Sequence, residues 1–217
     1  LKYGAKKNLI DKNGETLLLN SYRNKKMNTF NYALKTGADI KIKNKKGQTI
    51  TFLAFLNRDD EIAEMLQDRY KGDINCQDRN KNSLVHLAFI QGDMKRIDYL
   101  SKRRINMNLK DRKGKTVLQH AFFNNADSST LDFLIKKGSN VNVVDDQNNT
   151  LLHLLLYEEN PSEEIFKLLI NRKINFNIKN NEKQFPISIA IKQSHDNFGF
   201  KLLNLNCKLT DKKSIHE

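Results

Sequence analysis

One short phrase returns along this chain and limits what it can fold into. Asp111-Arg112-Lys113-Gly114-Lys115-Thr116 leads into the apolar run Val117-Leu118-Gln119-His120-Ala121. Asp11-Lys12-Asn13-Gly14-Glu15-Thr16-Leu17-Leu18 and Asn44-Lys45-Lys46-Gly47-Gln48-Thr49-Ile50 repeat it, and 78–84, 145–151 and 180–186 are weaker copies. Asp or Asn can bond the backbone of a turn, Gly is free to take positive φ, and Thr starts a helix. The Thr position falls at Thr16, Thr49, Ser83, Thr116, Thr150 and Phe185, at intervals of 33, 34, 33, 34 and 35 residues. So regular a period predicts a stacked repeat array.

Each unit has the same layout. An apolar segment such as Leu84–Ile90 follows the turn, and a polar break (Gln91-Gly92-Asp93) follows that. A second apolar-periodic segment comes next, with Met94, Ile97 and Leu100 on one helical face. Closing segments such as Thr36-Gly37-Ala38-Asp39-Ile40 and Lys137-Gly138-Ser139-Asn140-Val141-Asn142 put Gly just past a helix end. Neither helix is long enough to be stable alone, so neighbouring units must bury each other's apolar faces.

These features resemble the ankyrin repeat, whose full phrase is Asp-x-x-Gly-x-Thr-Pro-Leu-His-Leu-Ala. Ser83-Leu84-Val85-His86-Leu87-Ala88 and Thr150-Leu151-Leu152-His153-Leu154 keep the His. Phe185-Pro186-Ile187-Ser188-Ile189-Ala190 keeps the Pro but loses the Thr and His, and Thr51 stands where a core Leu is usual. The resemblance implies an all-α solenoid of about six helix-turn-helix units joined by β-turn or hairpin loops. The repeats fall at 11–43, 44–77, 78–110, 111–144, 145–179 and 180–210. They make a single domain over 1–217, with a partial repeat at 1–10 and a tail at 211–217. Leu1-Lys2-Tyr3-Gly4-Ala5 reads as the middle of a unit, so the sequence reads as a piece of a longer chain.

The residues offer little for catalysis. His86 and His153 hold the ankyrin His position, where the resemblance implies that they tie a turn to its neighbour. His120 lies one place later, His195 begins a polar break, and His216 is in the tail. No metal-ligand spacing, Gly-rich phosphate loop or nucleophile elbow is present. The expectation is therefore a non-enzyme with no catalytic residue, metal or cofactor. Cys76 and Cys207 stand far apart and read as reduced, half-buried small residues in a reducing compartment. No apolar run approaches the length of a membrane span.

Binding is the function left, and the net charge of +13 bears on it. It points to an acidic partner, a nucleic acid or a membrane surface, or only to a Lys- and Asn-heavy composition of the kind an AT-rich genome produces. The resemblance implies a concave face built from the turn tips and the exposed side of each first helix. The tip positions there include Glu15, then Lys45, Lys46 and Gln48, then Arg79 and Asn82, then Arg112, Lys113 and Lys115, then Asp146 and Asn149. The first helices end on Arg23, Leu56, Ile90, Phe123 and Tyr157, four of them large and apolar or aromatic. Either these side chains face the groove or they fold back as core beside Tyr22, Phe55, Phe89, Phe122 and Leu156.

The expectation is a protein-interaction scaffold. Leu56, Ile90, Phe123 and Tyr157 would anchor a partner's acidic, partly apolar segment, and Lys45, Lys46, Arg79, Arg112, Lys113 and Lys115 would steer it. The alternatives are binding of an anionic polymer or phospholipid surface, and the targeting arm of a larger enzyme or secreted effector. A monomer in the cytoplasm is expected, and export into a host cell is compatible with the sequence. The partner's identity is not legible.

Overall fold

Seven-residue apolar segments behind a Thr are poor helices alone, and packing against a second segment makes them stable. The computed structural model describes residues 8–12 and 14–205. Among them it forms twelve α-helices and no strand. The first helices are α1 (Leu17–Arg23), α3 (Ile50–Leu56), α5 (Leu84–Ile90), α7 (Val117–Phe123), α9 (Leu151–Tyr157) and α11 (Pro186–Lys192). Their second-helix mates are α2 (Met27–Lys35), α4 (Asp60–Tyr70), α6 (Met94–Ser101), α8 (Ser128–Lys136), α10 (Glu163–Asn171) and α12 (Asp196–Asn204). The chain divides into two compact units, 1–106 and 107–217, with three helix pairs in each. Residues 1–7 of the partial repeat read at 1–10, residues 206–210 of repeat six with Cys207, and the tail read at 211–217 lie outside the described residues.

All six first helices begin one residue after the position the period marks. Thr16, Thr49, Thr116 and Thr150 each accept a hydrogen bond from the amide three residues on. The turn ahead of each is a bonded ring. Asp111 Oδ1 accepts from the amides of Lys113 (2.8 Å) and Lys115 (3.0 Å), and the Gly114 amide donates to the Asp111 carbonyl at 3.1 Å. Asn44, Asp78 and Asp145 do the same for their own turns. Antiparallel bridges Ile10–Thr16 and Val144–Thr150 close two of the loops. Asp127 and Ser162 cap α8 and α10, so Ser128 and Ser129 are helical.

The chain reverses through left-handed backbone, and glycine supplies only part of it. Among the described residues ten non-glycine residues have positive φ, seven of them Lys or Arg: Lys25, Arg58, Lys71, Lys81, Arg104, Lys173 and Lys183. Lys81, Asn148 and Lys183 fill the glycine place of the three weaker turns at φ 58–62°. A Cβ crowds the carbonyl oxygen in this conformation. Replacing Lys81 or Lys183 with Gly is therefore expected to stabilise its unit by about 0.5–1 kcal/mol, the strain relieved less glycine's extra chain entropy. A raised urea midpoint with an unchanged slope checks it.

The apolar faces of the pairs make the core. Leu18, Phe30, Phe52 and Leu66 in unit 1 and Leu118, Leu131, Leu152 and Leu169 in unit 2 are almost wholly buried. Each such side chain contributes roughly 1.5–3 kcal/mol by leaving water. Second helices are also joined by polar bonds from repeat to repeat. Arg96 bonds Asp60, Arg103 bonds Glu64, and Arg172 bonds Asp132 through Nε at 2.6 Å. The Tyr99 ring lies under both Arg96 (4.5 Å) and Arg103 (3.9 Å), and its hydroxyl donates to Glu64 at 2.9 Å. Burial and the nearby Asp60 push the Tyr99 phenol up to about 12.

Candidate partner-binding face

An apolar side chain at the end of a short helix stays exposed only where no neighbour covers it. The residue before each groove position goes inward: Tyr22, Phe55, Phe122 and Leu156 are buried, and Phe89 is half-buried. The extra bulk at those positions is core. The following residue is left outside. Ile90 in unit 1 is 65% exposed, and Phe123 and Tyr157 in unit 2 are 43% and 39% exposed. Leu56 is half-buried. Arg23, in the same register, pairs with the buried Glu15 at 2.9 Å.

In unit 1 the tips Lys45, Lys46 and Arg79 are exposed. Lys45 is committed, because its ammonium donates to the Lys12 carbonyl of the previous turn at 2.6 Å. Successive turns also touch through backbone: the Arg79 amide donates to the Lys46 carbonyl at 2.7 Å. A hollow of 1020 Å³ in unit 1 is lined by Tyr22, Met27, Leu53, Ile62 and Met65, none of them a tip residue. Ile62 stands third in α4, where Arg96 of α6 reaches back to Asp60.

In unit 2 Arg112 and Lys113 project from the fourth turn. Lys115 does not stand free beside them. It is half-buried, and its Nζ sits 3.7 Å from the centre of the Phe123 ring. Phe122 meets Phe123 edge-on at 6.0 Å. Tyr157 is also fixed in place. Its hydroxyl donates to Gln184 Oε1 at 3.0 Å and accepts from Asn180 Nδ2 at 3.1 Å. Burial and the charge of Glu182 raise its pKa, so it is a neutral phenol at pH 7.

The position just before each helix-starting Thr is therefore not a free slot. Glu15, Gln48 and Asn149 are buried there, and Asn82 and Lys115 are half-buried. The side chain turns back to bond the residue that opens the turn, as in Asn44–Gln48 (3.3 Å), Asp78–Asn82 (3.3 Å) and Asp145–Asn149 (3.1 Å). A repeated short polar residue at that place was the available signal.

His86, His120 and His153 are tied into the turns by hydrogen bonds. His86 Nδ1 meets the Ser83 hydroxyl at 2.8 Å. His153 Nδ1 accepts from the Thr150 amide at 3.1 Å, and its Nε2 meets the Gln184 carbonyl of the next turn at 3.1 Å. In repeat four Gln119 takes over this task, receiving the Thr116 amide at 3.0 Å. His120 turns to Asp111 at 2.9 Å. Burial alone would raise the Asp111 pKa; the amides of Lys115 and Lys113 and the His120 ring outweigh it and bring it down.

Burial lowers the pKa of His153, against the opposing bond to Gln184. The folded form therefore holds the neutral ring, while the unfolded chain takes up a proton near pH ~6.5. Unit 2 is expected to keep this stability above that value and to lose it as pH falls toward the folded pKa. His153→Gln, which copies Gln119, should flatten the trend in urea midpoints measured against pH.

The comparisons agree with this architecture. The family model for ankyrin repeats (three copies) matches residues 65–145 and 123–213. The chain belongs to the ankyrin-repeat family. It resembles the crystal structure of the ankyrin repeat domain of Bcl-3, a member of the IkappaB protein family. That match has TM-score 0.64 at 20% identity, over 87% of this chain and 83% of that one. It also resembles an ankyrin repeat domain from Acinetobacter baumannii AYE, with TM-score 0.60 at 23% identity, over 88% of this chain and 98% of the other. No curated protein matches. Ankyrin repeats are in general protein-interaction modules and typically not catalysts. No described helix is long and apolar enough to cross a membrane.

Proposed function

We propose that this chain is a non-catalytic scaffold that binds an acidic, partly apolar segment of a protein partner. Contact would be through the tips and first-helix ends that form the groove face of an ankyrin array. The observation that carries the reading is in unit 2. Phe123 is exposed yet held under the Lys115 ammonium, and the exposed cations Arg112 and Lys113 belong to the same turn as Lys115. An ordered aromatic ring loses little freedom on binding, and adjacent cations favour a carboxylate next to it. Unit 1, taken by itself, would offer contacts of the same kind through Ile90 with Lys46 and Arg79, with Leu56 and Lys45 in supporting places. A reducing, intracellular compartment suits the buried, unpaired Cys76.

The test uses wild type and Arg112→Glu/Lys113→Glu as baits, with captured proteins quantified by mass spectrometry. Each partner is then titrated at rising salt. The reading expects the charge reversal to lower affinity about tenfold or more. Equal capture by both baits overturns it. Exposed Lys46, Arg79, Arg112 and Lys113 also favour an anionic polymer. In that case binding to nucleic acid would fall steeply and linearly with log salt, and the protein reading would fail.

A further inference from the structure

The hollow of unit 1 is a slot between repeats one and two, and unit 1 holds the same slot again between repeats two and three. Tyr22, Lys25, Leu53, Asn57 and Ile62 line the first. Phe55, Arg58, Leu87, Gln91 and Arg96, each at the same place one repeat further on, line the second. The first has a volume of 1020 Å³ and the second only 20 Å³. The difference lies in what the second helix sends backward. Arg96, third in α6, fills the second slot, and the ring of Tyr99, sixth in α6, lies 4.5 Å from it. In α4 the third and sixth residues are Ile62 and Met65, which carry no charge and no ring.

The filled slot shows what the fold accepts there. The Arg96 guanidinium bonds Asp60 Oδ1 at 2.6 Å, donates to the Phe55 carbonyl, and lies 5.9 Å from the centre of the Phe55 ring. In the open slot Tyr22 stands where Phe55 does, so a ring and a carbonyl are again at the wall. Met27 replaces Asp60, but Asp59 and Glu61 bring carboxylates from the side of repeat two. Of the cations at the rim, Arg23 is paired with Glu15 and Arg58 with Asp93. Lys25 alone is left to offset Asp59 and Glu61, so the rim carries an excess of negative charge. Met27, Leu53, Ile62 and Met65 make the rest of the wall apolar. Such a site suits a cation on an apolar stem, and above all a planar one that can lie against an aromatic ring.

We propose that this hollow binds an arginine side chain of a partner protein, whose guanidinium takes the place between repeats one and two that Arg96 takes between repeats two and three. A described repeat stands on each side of the site. Its volume is that of a ligand pocket, which leaves room for the backbone that carries the arginine. Arginine fits better than lysine, because its flat fork of donors can bond a carboxylate and a carbonyl at once. The hollow shares no residue with the proposed acidic-segment face, so the two readings succeed or fail separately.

NMR titration of the full chain with an acetylated and amidated Gly-Arg-Gly peptide tests it. Saturable shifts are expected at Tyr22, Leu53, Ile62 and Met65, and the matching lysine peptide should bind at least about fivefold more weakly. Methylguanidinium, the head group without its stem, should also bind more weakly than the arginine peptide. Ile62→Arg copies Arg96 and should fill the slot from within, abolishing peptide binding while the protein still melts cooperatively. Asp59→Asn/Glu61→Gln should lower affinity about tenfold, and it carries the comparison alone if Ile62→Arg does not fold. The absence of saturable shifts at these residues overturns the proposal. So does equal binding of the lysine peptide or of methylguanidinium, or undiminished binding by a folded variant.

Discussion

Phe123→Ala combined with Tyr157→Ala is expected to weaken partner binding about a hundredfold, or roughly 3 kcal/mol, while unit 2 still melts cooperatively. Both rings are exposed enough to contact a partner and held well enough to need little ordering. Lys115 sits over Phe123, and Gln184 and Asn180 hold the Tyr157 hydroxyl. The core beneath belongs to Phe122 and Leu156, which the substitutions leave alone. Loss of the Tyr157 hydroxyl bonds should cost the fold about 1 kcal/mol. Tyr157→Phe separates the two effects, since it keeps the ring and removes the bonds. Binding near wild type in Tyr157→Phe, with strong loss in the double alanine variant, would assign the affinity to the rings. A double variant that no longer melts cooperatively would show that they are core.

Gly47→Ala is expected to cost unit 1 about 3 kcal/mol, and Gly114→Ala far less, about 1 kcal/mol, although both glycines hold the same place in the repeated turn. Both have φ near +75°, so both carry the left-handed penalty. What differs is the space around them. A Cβ on Gly47 would lie 2.5 Å from the Arg79 amide nitrogen and 2.9 Å from the Asp78 carbonyl carbon. Those backbone atoms are fixed by the hydrogen bond from Arg79 to Lys46. On Gly114 the nearest atom is Asp146 Oδ1 at 3.2 Å, the end of a side chain that can turn away. Urea unfolding of the two variants checks the difference. Equal losses would mean that φ alone matters and that the close approach of the second and third turns is soft.

The period was enough to place every first helix, because the turn ahead of each recurs at a fixed interval even where Ser83 or Phe185 replaces the Thr. Thr49, Thr116 and Thr150 act as caps whatever follows them. The exposed side chains of the candidate face were legible in part. Phe123 and Tyr157 stand out because Phe122 and Leu156 ahead of them fill the core, and Ile90 follows the half-buried Phe89 in the same register. Two things escaped the linear pattern. Lys115 looks the same as Lys113 in sequence, yet it occupies the inward position and spends its charge on Phe123 within its own chain. The tie from Tyr157 to Gln184 joins residues 27 apart, and only the stacking of turns brings them together. Gln119 was within reach, since Thr followed three residues later by Gln is a capping box.

The left-handed lysines and arginines have a consequence for how the chain can be cut. Lys25, Arg58, Lys71, Lys81, Arg104, Lys173 and Lys183 are all exposed and all lie where the backbone reverses between helices. Trypsin cleaves after these residue types, and it needs a segment that opens locally. Brief digestion of the native protein should therefore nick the joints before the helices. The fragments would form a ladder, and the order of its rungs would rank the repeats by how readily each one opens.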